Sequence, residues 1–108
     1  MVDYPAPVPG VVTQYPSPEH DAYDFACRVG TPVVAVHGGA MRTRWNGRLG
    51  HVAEIVGPGG VRSLYAHLDS VKEPGQYEQG EVIGTCGNTG AWSYGAHVHF
   101  ESTGTFHF

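Results

Sequence analysis

The stretch from Gly95 to Glu101, Gly-Ala-His-Val-His-Phe-Glu, constrains the fold more than any other part of the chain. Polar and apolar side chains alternate here, which is typical of a half-buried β-strand because successive side chains point to opposite faces. We therefore expect His97 and His99 on one face, roughly 6.5 Å apart, with Val98 and Phe100 facing a core. Such a strand holds either two surface histidines at a sheet edge or two imidazoles that serve a common site.

Composition extends the β pattern to the whole chain. The 108 residues include 16 glycines and 8 prolines, which separate short apolar runs, and no segment has a sustained helical period. Many turns between short runs are typical of an all-β domain, so we predict six to eight short strands joined by hairpins. Residues 33–36 read as a buried strand, residues 51–56 and 61–67 as a hairpin, and residues 69–80 as polar turns.

The length of 108 residues indicates one domain, and the proline-rich start of the chain indicates an N-terminal arm. Residues 1–18 hold five prolines, and because proline donates no ladder hydrogen bond, this segment is expected to be a covering arm or an edge strand. Residues 19–108 form the single folded domain in this interpretation. No basic segment followed by an apolar run opens the chain, so no signal peptide is visible, and no run is long enough to insert into a membrane.

The charge of the chain limits which binding partners are expected, and its cysteines limit which kind of metal site is expected. Six Lys and Arg against ten Asp and Glu give a net charge of −4, and the basic residues form no cluster. Nucleic acid and anionic membrane surfaces are therefore not expected as partners, and a monomer is the default. Cys27 and Cys86 leave two interpretations open, one disulfide or two buried thiols. Without a Cys-x-x-Cys pair, a thiolate zinc site is not expected.

Histidines and one aspartate have the spacing of a metal site. A catalytic zinc usually has three protein ligands plus water, and imidazole and carboxylate are among its preferred ligands. His20 and Asp24 are four residues apart, a spacing that returns to one face, and one histidine of the pair His97 and His99 completes a set of three. The other imidazole then remains beside the metal for acid–base chemistry.

A further histidine, His67, ends the run Leu64-Tyr65-Ala66-His67-Leu68, whose alternation predicts Tyr65 and His67 on one face of a strand. With this segment, the chain resembles the lysostaphin-type zinc endopeptidases of bacterial cell-wall turnover and phage lysis. Four segments between residues 19 and 101 match the pattern of that family in its order. They are His20-x-x-x-Asp24, Gly30-Thr31-Pro32-Val33 with Gly38-Gly39, Tyr65-Ala66-His67-Leu68, and Gly87-Asn88-Thr89-Gly90 followed by the stretch 95–101.

The resemblance implies a small antiparallel two-layer β-sandwich or open barrel, with a groove over its central sheet. It implies that His20, Asp24 and His99 bind one Zn²⁺. His67 and His97 would be the catalytic pair, one acting as general base and the other stabilising the oxyanion or protonating the leaving amine. The implied activity is hydrolysis of peptide bonds in peptidoglycan cross-bridges or stem peptides. Such an enzyme acts on the bacterial cell wall, either as a secreted protein or as a phage lysin.

Two departures from the family pattern concern the first motif. The family usually has glycine in the middle of this motif, where the chain has Ala22, and it often has a tyrosine shortly before the first ligand. Tyr15 is near that position and is a candidate oxyanion donor, although a packed aromatic side chain in the arm is the simpler interpretation.

Aromatic residues and the remaining histidines have weaker assignments. Trp45, Trp92 and Tyr94 are predicted in loops, where they either line a substrate groove or pack into the core. Three histidines are predicted to face solvent rather than bind metal: His37, His51 and His107.

Two other functions fit the same pattern. One is a non-catalytic cell-wall-binding or hydrolase-activating domain of the same fold, but such domains usually lack part of the ligand set that is complete here. The other is a structural zinc domain of a phage particle. A structural zinc tends to have four protein ligands, so this function would require both His97 and His99 on the metal.

Overall fold

The structure is a computed structural model that describes residues 5–9, 11–15 and 22–103. Within these residues it consists of β-strands and a single 3-10 turn, at Pro58–Gly60, so the predicted all-β class is confirmed. The strands are β1 Val11–Gln14, β2 Ala22–Ala26, β3 Pro32–Val34, β4 Gly39–Asn46, β5 Gly50–Val56, β6 Arg62–Leu68, β7 Ser70–Val71, β8 Gly75–Tyr77, β9 Val82–Thr85 and β10 His97–Ser102.

The strands form two antiparallel sheets, and neither sheet closes into a barrel. The larger sheet has the order β1-β2-β10-β6-β5-β4-β8, and the smaller has the order β3-β9-β7. The ten described strands exceed the predicted six to eight because β7 and β8 lie in the segment 69–80, which was predicted as turns. These two short strands have polar sequences and are held by pairing with β9 and β4, which no local pattern shows.

The hydrophobic core lies on one face of the larger sheet and includes Val33 and Ile83 of the smaller sheet. Val98 and Phe100 are almost fully buried, as the alternation in β10 predicted. The ring of Tyr65 packs edge-on against Phe100, with the ring centroids 5.3 Å apart. Its hydroxyl accepts a hydrogen bond from the backbone N–H of Val36, and burial raises the pKa of Tyr65 to about 12.

A β-bulge at the end of β6 corrects the prediction for His67. Between two paired positions, Ala66 and His67 of β6 oppose the single residue Val52 of β5. His67 has φ 63°, the left-handed region, and the extra residue reverses the side-chain alternation that follows it. Tyr65 therefore faces the core, whereas the ring of His67 lies against His97 on the opposite face. The prediction that Tyr65 and His67 share a face is wrong.

The described part of the N-terminal arm contributes to the fold. Val8 is fully buried in the core, and the carbonyl of Pro7 accepts a hydrogen bond from the N–H of Val34 at 2.7 Å. Strand β1 pairs with β2 at the edge of the larger sheet. The boundary predicted at residue 18 lies in a segment, residues 16–21, outside the described residues, and it stays a prediction.

A disulfide joins Cys27, just after β2, to the buried Cys86, just after β9. This answers the question that the sequence left open, in favour of the crosslink. No helix in the described ranges has the length and apolar character that crossing a membrane requires.

Candidate active site

Four of the five residues predicted to bind metal or catalyse lie together on the face of the larger sheet opposite the core. Asp24 comes from β2, His67 from the bulge of β6, and His97 and His99 from β10. The pairing of β2 with β10 places His99 directly opposite Asp24. His67 lies beside both β10 imidazoles, with ring centroids 4.6 Å from His97 and 6.0 Å from His99. The fifth residue, His20, lies outside the described residues.

His99 lies between two carboxylates. Its Nδ1 is 3.0 Å from Oδ1 of Asp24, and its Nε2 is 3.2 Å from Oε2 of Glu101. Burial opposes a charge on this imidazole, but the hydrogen bonds with Asp24 and Glu101 outweigh that effect and raise the pKa of His99 to about 9. Glu101 was not singled out from the sequence. Its signal was the spacing of two from His99, which puts both side chains on one face of a strand.

Backbone carbonyls fix the tautomers of His67 and His97. Nδ1 of His67 is 2.7 Å from the carbonyl oxygen of Thr89, and Nδ1 of His97 is 2.7 Å from that of Gly95. Because a carbonyl oxygen only accepts hydrogen bonds, Nδ1 of each ring carries the hydrogen and donates it. In the neutral form, Nε2 of each ring is therefore the nitrogen with a lone pair, available to accept a proton.

His67 is kept in its neutral form by its surroundings. Its side chain is buried, and burial lowers the pKa of His67 below its ordinary value of 6.5. The hydrogen bond to Thr89 acts in the opposite direction but does not outweigh burial, and the neighbouring charges of His97 and His99 lower the pKa further. A neutral imidazole with a fixed lone pair can act as a general base.

The donor pair Asp24 and His99 fits part of a zinc site. Two ligands bound to zinc at about 2.0–2.1 Å with tetrahedral geometry lie roughly 3.4 Å apart, and Oδ1 of Asp24 and Nδ1 of His99 are 3.0 Å apart. Glu101 accepts a hydrogen bond from Nε2, an interaction that puts the lone pair of the neutral ring on Nδ1, the nitrogen beside Asp24. Within the described ranges, which exclude His20, no three His, Cys, Asp or Glu side chains are arranged to hold a metal ion.

Comparison with known proteins identifies the family. The sequence profile of peptidase family M23 matches residues 18–105. The chain belongs to peptidase family M23. This confirms the resemblance to lysostaphin-type enzymes that the histidine motifs indicated.

Individual M23 relatives share both sequence and fold with this chain. DD-carboxypeptidase/endopeptidase Mpg of Neisseria meningitidis is 39% identical over 85 residues, which is 77% of this chain and 20% of Mpg. The catalytic domain of lysostaphin, an antimicrobial peptidase from Staphylococcus simulans, has a TM-score of 0.72 and 28% identity over 94% of this chain and 77% of that domain. A zinc-containing peptidase from Vibrio cholerae has a TM-score of 0.79 and 26% identity over 90% of this chain and 35% of its own.

The chain spans about a fifth of the length of the curated relatives it matches. The M23 match establishes the family of this part, while the activity and substrate of any longer relative belong to that protein.

The loop between β9 and β10 organises the site of this M23 chain. The carbonyl of Gly87 accepts from the N–H of His97, and the carbonyl of Thr89 accepts from the ring of His67. Gly90 has φ 89°, and a Cβ there would be 2.4 Å from the backbone nitrogen of Gly50. Only glycine allows the loop to approach the start of β5 so closely.

A cleft of about 430 Å³ opens beside the histidines. Its lining includes Thr13, Gln14, Asp24, Trp92, Tyr94 and His97. Trp92 and Tyr94 are 56% and 93% exposed, so neither packs into the core. Both lie in the loop before β10, as predicted, and they form part of the wall of the cleft.

The other two aromatic candidates lie elsewhere. Trp45 is in β4 rather than in a loop. It lies on the face that carries Met41 and Ile55, opposite to the face that carries His97 and His99. Its exposed ring packs edge-on against His51, with centroids 4.9 Å apart. Tyr15 follows the cleft residue Gln14 and is 61% exposed.

The three histidines that were predicted to face solvent have different surroundings. His37 is buried, with 7% of its surface exposed, so the prediction is wrong for this residue. Its Nδ1 bonds the carbonyl of Gly38 in the tight turn before β4. His51 is half-buried against Trp45, and His107 lies outside the described residues.

Proposed function

We propose that this M23 chain is the catalytic domain of a zinc-dependent endopeptidase that hydrolyses peptide bonds in peptidoglycan cross-bridges or stem peptides. The observation that carries the proposal is the convergence of Asp24, His67, His97 and His99 on one open face of the sheet. The imidazole of His99 is paired with carboxylates, that of His97 is oriented by a backbone carbonyl, and that of His67 is kept neutral by burial. Three such rings close together form a site for acid–base chemistry rather than an inert surface.

In this proposal Asp24 and His99 hold one zinc together with His20. The assignment of His20 rests on its match to the ligand motif of the family. The assignment of Asp24 and His99 is supported also by the short distance between their side chains. When bound, zinc supplies a Lewis acid that polarises a scissile carbonyl and lowers the pKa of water to about 7. Glu101 orients the imidazole of His99 through Nε2.

We assign His67 as the general base and His97 as the acid or oxyanion donor. Nε2 of His67 has a lone pair, and the lowered pKa of His67 keeps it available at neutral pH to take a proton from the attacking water. Nε2 of His97 is 3.9 Å from Oδ1 of Asp24, and both residues line the cleft that is the proposed path of the peptide. His97 can then donate to the oxyanion or to the leaving amine.

The substrate assignment is supported by the relatives. Lysostaphin is an antimicrobial peptidase, and Mpg is a DD-carboxypeptidase/endopeptidase. The proposed chain acts on the bacterial cell wall as a secreted protein or a phage lysin. Tyr15 remains a candidate oxyanion donor, and the cleft walled by Trp92 and Tyr94 is the proposed path for the peptide.

The test is release of new free amino groups from purified peptidoglycan, with identification of the exposed N-terminal residue. Release that a chelator abolishes and added zinc restores is the expected result. An exposed glycine would identify a glycyl bridge, and exposed diaminopimelate would identify a stem cross-link. If zinc-loaded protein releases no amines from several wall types, the non-catalytic wall-binding or structural zinc functions replace this proposal.

A further inference from the structure

One arginine beside the cleft is held in place by an aromatic ring and has no acidic partner among the described residues. Arg48 lies in the turn between β4 and β5, and its guanidinium carbon is 4.9 Å from the centre of the Trp92 ring. Trp92 is part of the cleft wall that also includes Asp24 and His97. A cation over an indole face is attracted by the ring, so this contact restricts the guanidinium to the edge of the cleft.

Backbone hydrogen bonds fix this arrangement relative to the catalytic residues. The carbonyl of Arg48 accepts from the N–H of Trp92 at 3.0 Å, and the carbonyl of Gly47 accepts from the N–H of Ala91 at 2.9 Å. The next residue, Leu49, accepts from the N–H of His67 at 2.7 Å. Arg48 therefore belongs to the same rigid junction as the proposed base.

The charge of Arg48 is available to a ligand. Its side chain is exposed, and among the residues that the structure describes, no Asp or Glu oxygen lies within ion-pair distance of it. Arg44, by contrast, lies 3.9 Å from Glu54. A guanidinium stays charged at all physiological pH values and presents planar donors that match a carboxylate.

We propose that Arg48, stacked on Trp92, binds a free carboxylate of the peptidoglycan stem peptide. This inference rests on the proposed function and names its substrate class: stem peptides, which carry carboxylates, rather than glycyl bridges, which carry none. Three stem carboxylates have the required chemistry: that of a C-terminal D-alanine, that of the diaminopimelate side chain and the α-carboxylate of the γ-linked D-glutamate.

The experiment measures kcat and KM on synthetic stem peptides that differ in one carboxylate. The set comprises the free peptide, its C-terminal amide, a form with lysine replacing diaminopimelate, a form with isoglutamine replacing the γ-linked glutamate, and a pentaglycine peptide that is acetylated at its N-terminus and amidated at its C-terminus. The variants are Arg48→Gln, Arg48→Lys and the control Lys72→Gln, which removes one positive charge from the exposed end of β7 in the other sheet.

For Arg48→Gln we expect roughly a 10-fold loss of kcat/KM on the free peptide, mainly through KM, because one charge-assisted hydrogen bond is removed at an exposed site. The loss should disappear on whichever modified peptide lacks the bound carboxylate, which identifies its source. Arg48→Lys should retain part of the affinity, since it keeps the charge but not the planar fork. Lys72→Gln should match the unchanged protein.

Two results overturn this inference while leaving the proposed function standing. One is equal cleavage by Arg48→Gln and the unchanged protein on every peptide, and the other is a preference for pentaglycine over all stem peptides. If no peptide is cleaved at all, the proposed function fails instead. In that case, titration calorimetry measures the binding of the free and modified peptides and tests the carboxylate site directly. Equal Kd values for Arg48→Gln and the unchanged protein would reject the site.

Discussion

Reduction of the Cys27–Cys86 disulfide should affect stability and catalysis together. The crosslink ties the end of β2, the strand that carries Asp24, to the start of the loop that orients the proposed catalytic histidines. Cys86 directly precedes Gly87, whose carbonyl bonds His97, and lies three residues before Thr89, whose carbonyl bonds His67. The disulfide is thus adjacent to both halves of the site.

The size of the effect on stability follows from the length of the closed loop. The two cysteines are 59 residues apart in sequence. Restricting an unfolded chain over that length removes an entropy of about 14 cal/mol/K, or about 4 kcal/mol at 25 °C. Domains of this size are usually stable by only about 5–15 kcal/mol, so the reduced protein should retain a fraction of its stability.

Urea unfolding of the oxidised and reduced protein, each with and without chelator, measures this difference. With an m-value of roughly 1.5 kcal/mol/M, the midpoint should fall by about 2–3 M on reduction. The double variant Cys27→Ala with Cys86→Ala should reproduce the reduced midpoint without any reductant. A midpoint that moves by less than about 0.5 M, with unchanged m-value, would refute the argument, because the crosslink would then not restrict the unfolded chain.

The remaining predictions concern the site. His67→Ala should abolish hydrolysis and retain bound zinc, whereas Asp24→Ala should lose the metal. Metal analysis of the dialysed variants checks both predictions. Loss of zinc from His67→Ala would show that His67 is a metal ligand. Glu101→Gln should weaken zinc affinity roughly 10- to 100-fold, measured with a competing chelator, because Glu101 orients His99; unchanged affinity would reject that role. In the metal-free protein, the stability that His99 contributes should be fully present below pH 6.5 and decline as pH rises through about 9, since the folded state holds this proton more tightly than the unfolded state. Urea midpoints against pH check the sign, and a midpoint that rises over this range would contradict it. Hydrolysis should fall as pH drops through the lowered pKa of His67, which a pH–rate profile measures.

Strand β10 could be predicted from the sequence because nothing interrupts its alternation. His97 and His99 share the site face, and Val98 and Phe100 share the core face, since the strand has no bulge and pairs regularly with β2 and β6. The same regular pairing explains why Asp24 meets His99 once β2 is recognised as a neighbour. The order of the family motifs could also be recognised from the sequence, because each motif is a short local pattern.

Side chains whose direction depends on a neighbouring strand could not be predicted in this way. The bulge at His67 arises from pairing with β5 and becomes visible only as φ 63° in the folded chain. Trp45 directly precedes Asn46 and Gly47, a pair typical of turns, and was therefore predicted in a loop, although β4 continues through Asn46. The crosslink between Cys27 and Cys86 depends on two strand ends that are 59 residues apart.

The site shows why loop backbone matters here as much as the motif side chains. The tautomers of His67 and His97 are set by the backbone carbonyls of Thr89 and Gly95. A side-chain substitution at Thr89 or Gly95 therefore does not remove the hydrogen-bond acceptor itself. A change that moves the loop does remove it. Because a Cβ at Gly90 would overlap the start of β5, Gly90→Ala should displace the Thr89 carbonyl and release the ring of His67. Hydrolysis by Gly90→Ala should therefore fall in the peptidoglycan assay, although Gly90 is not among the described residues that line the cleft.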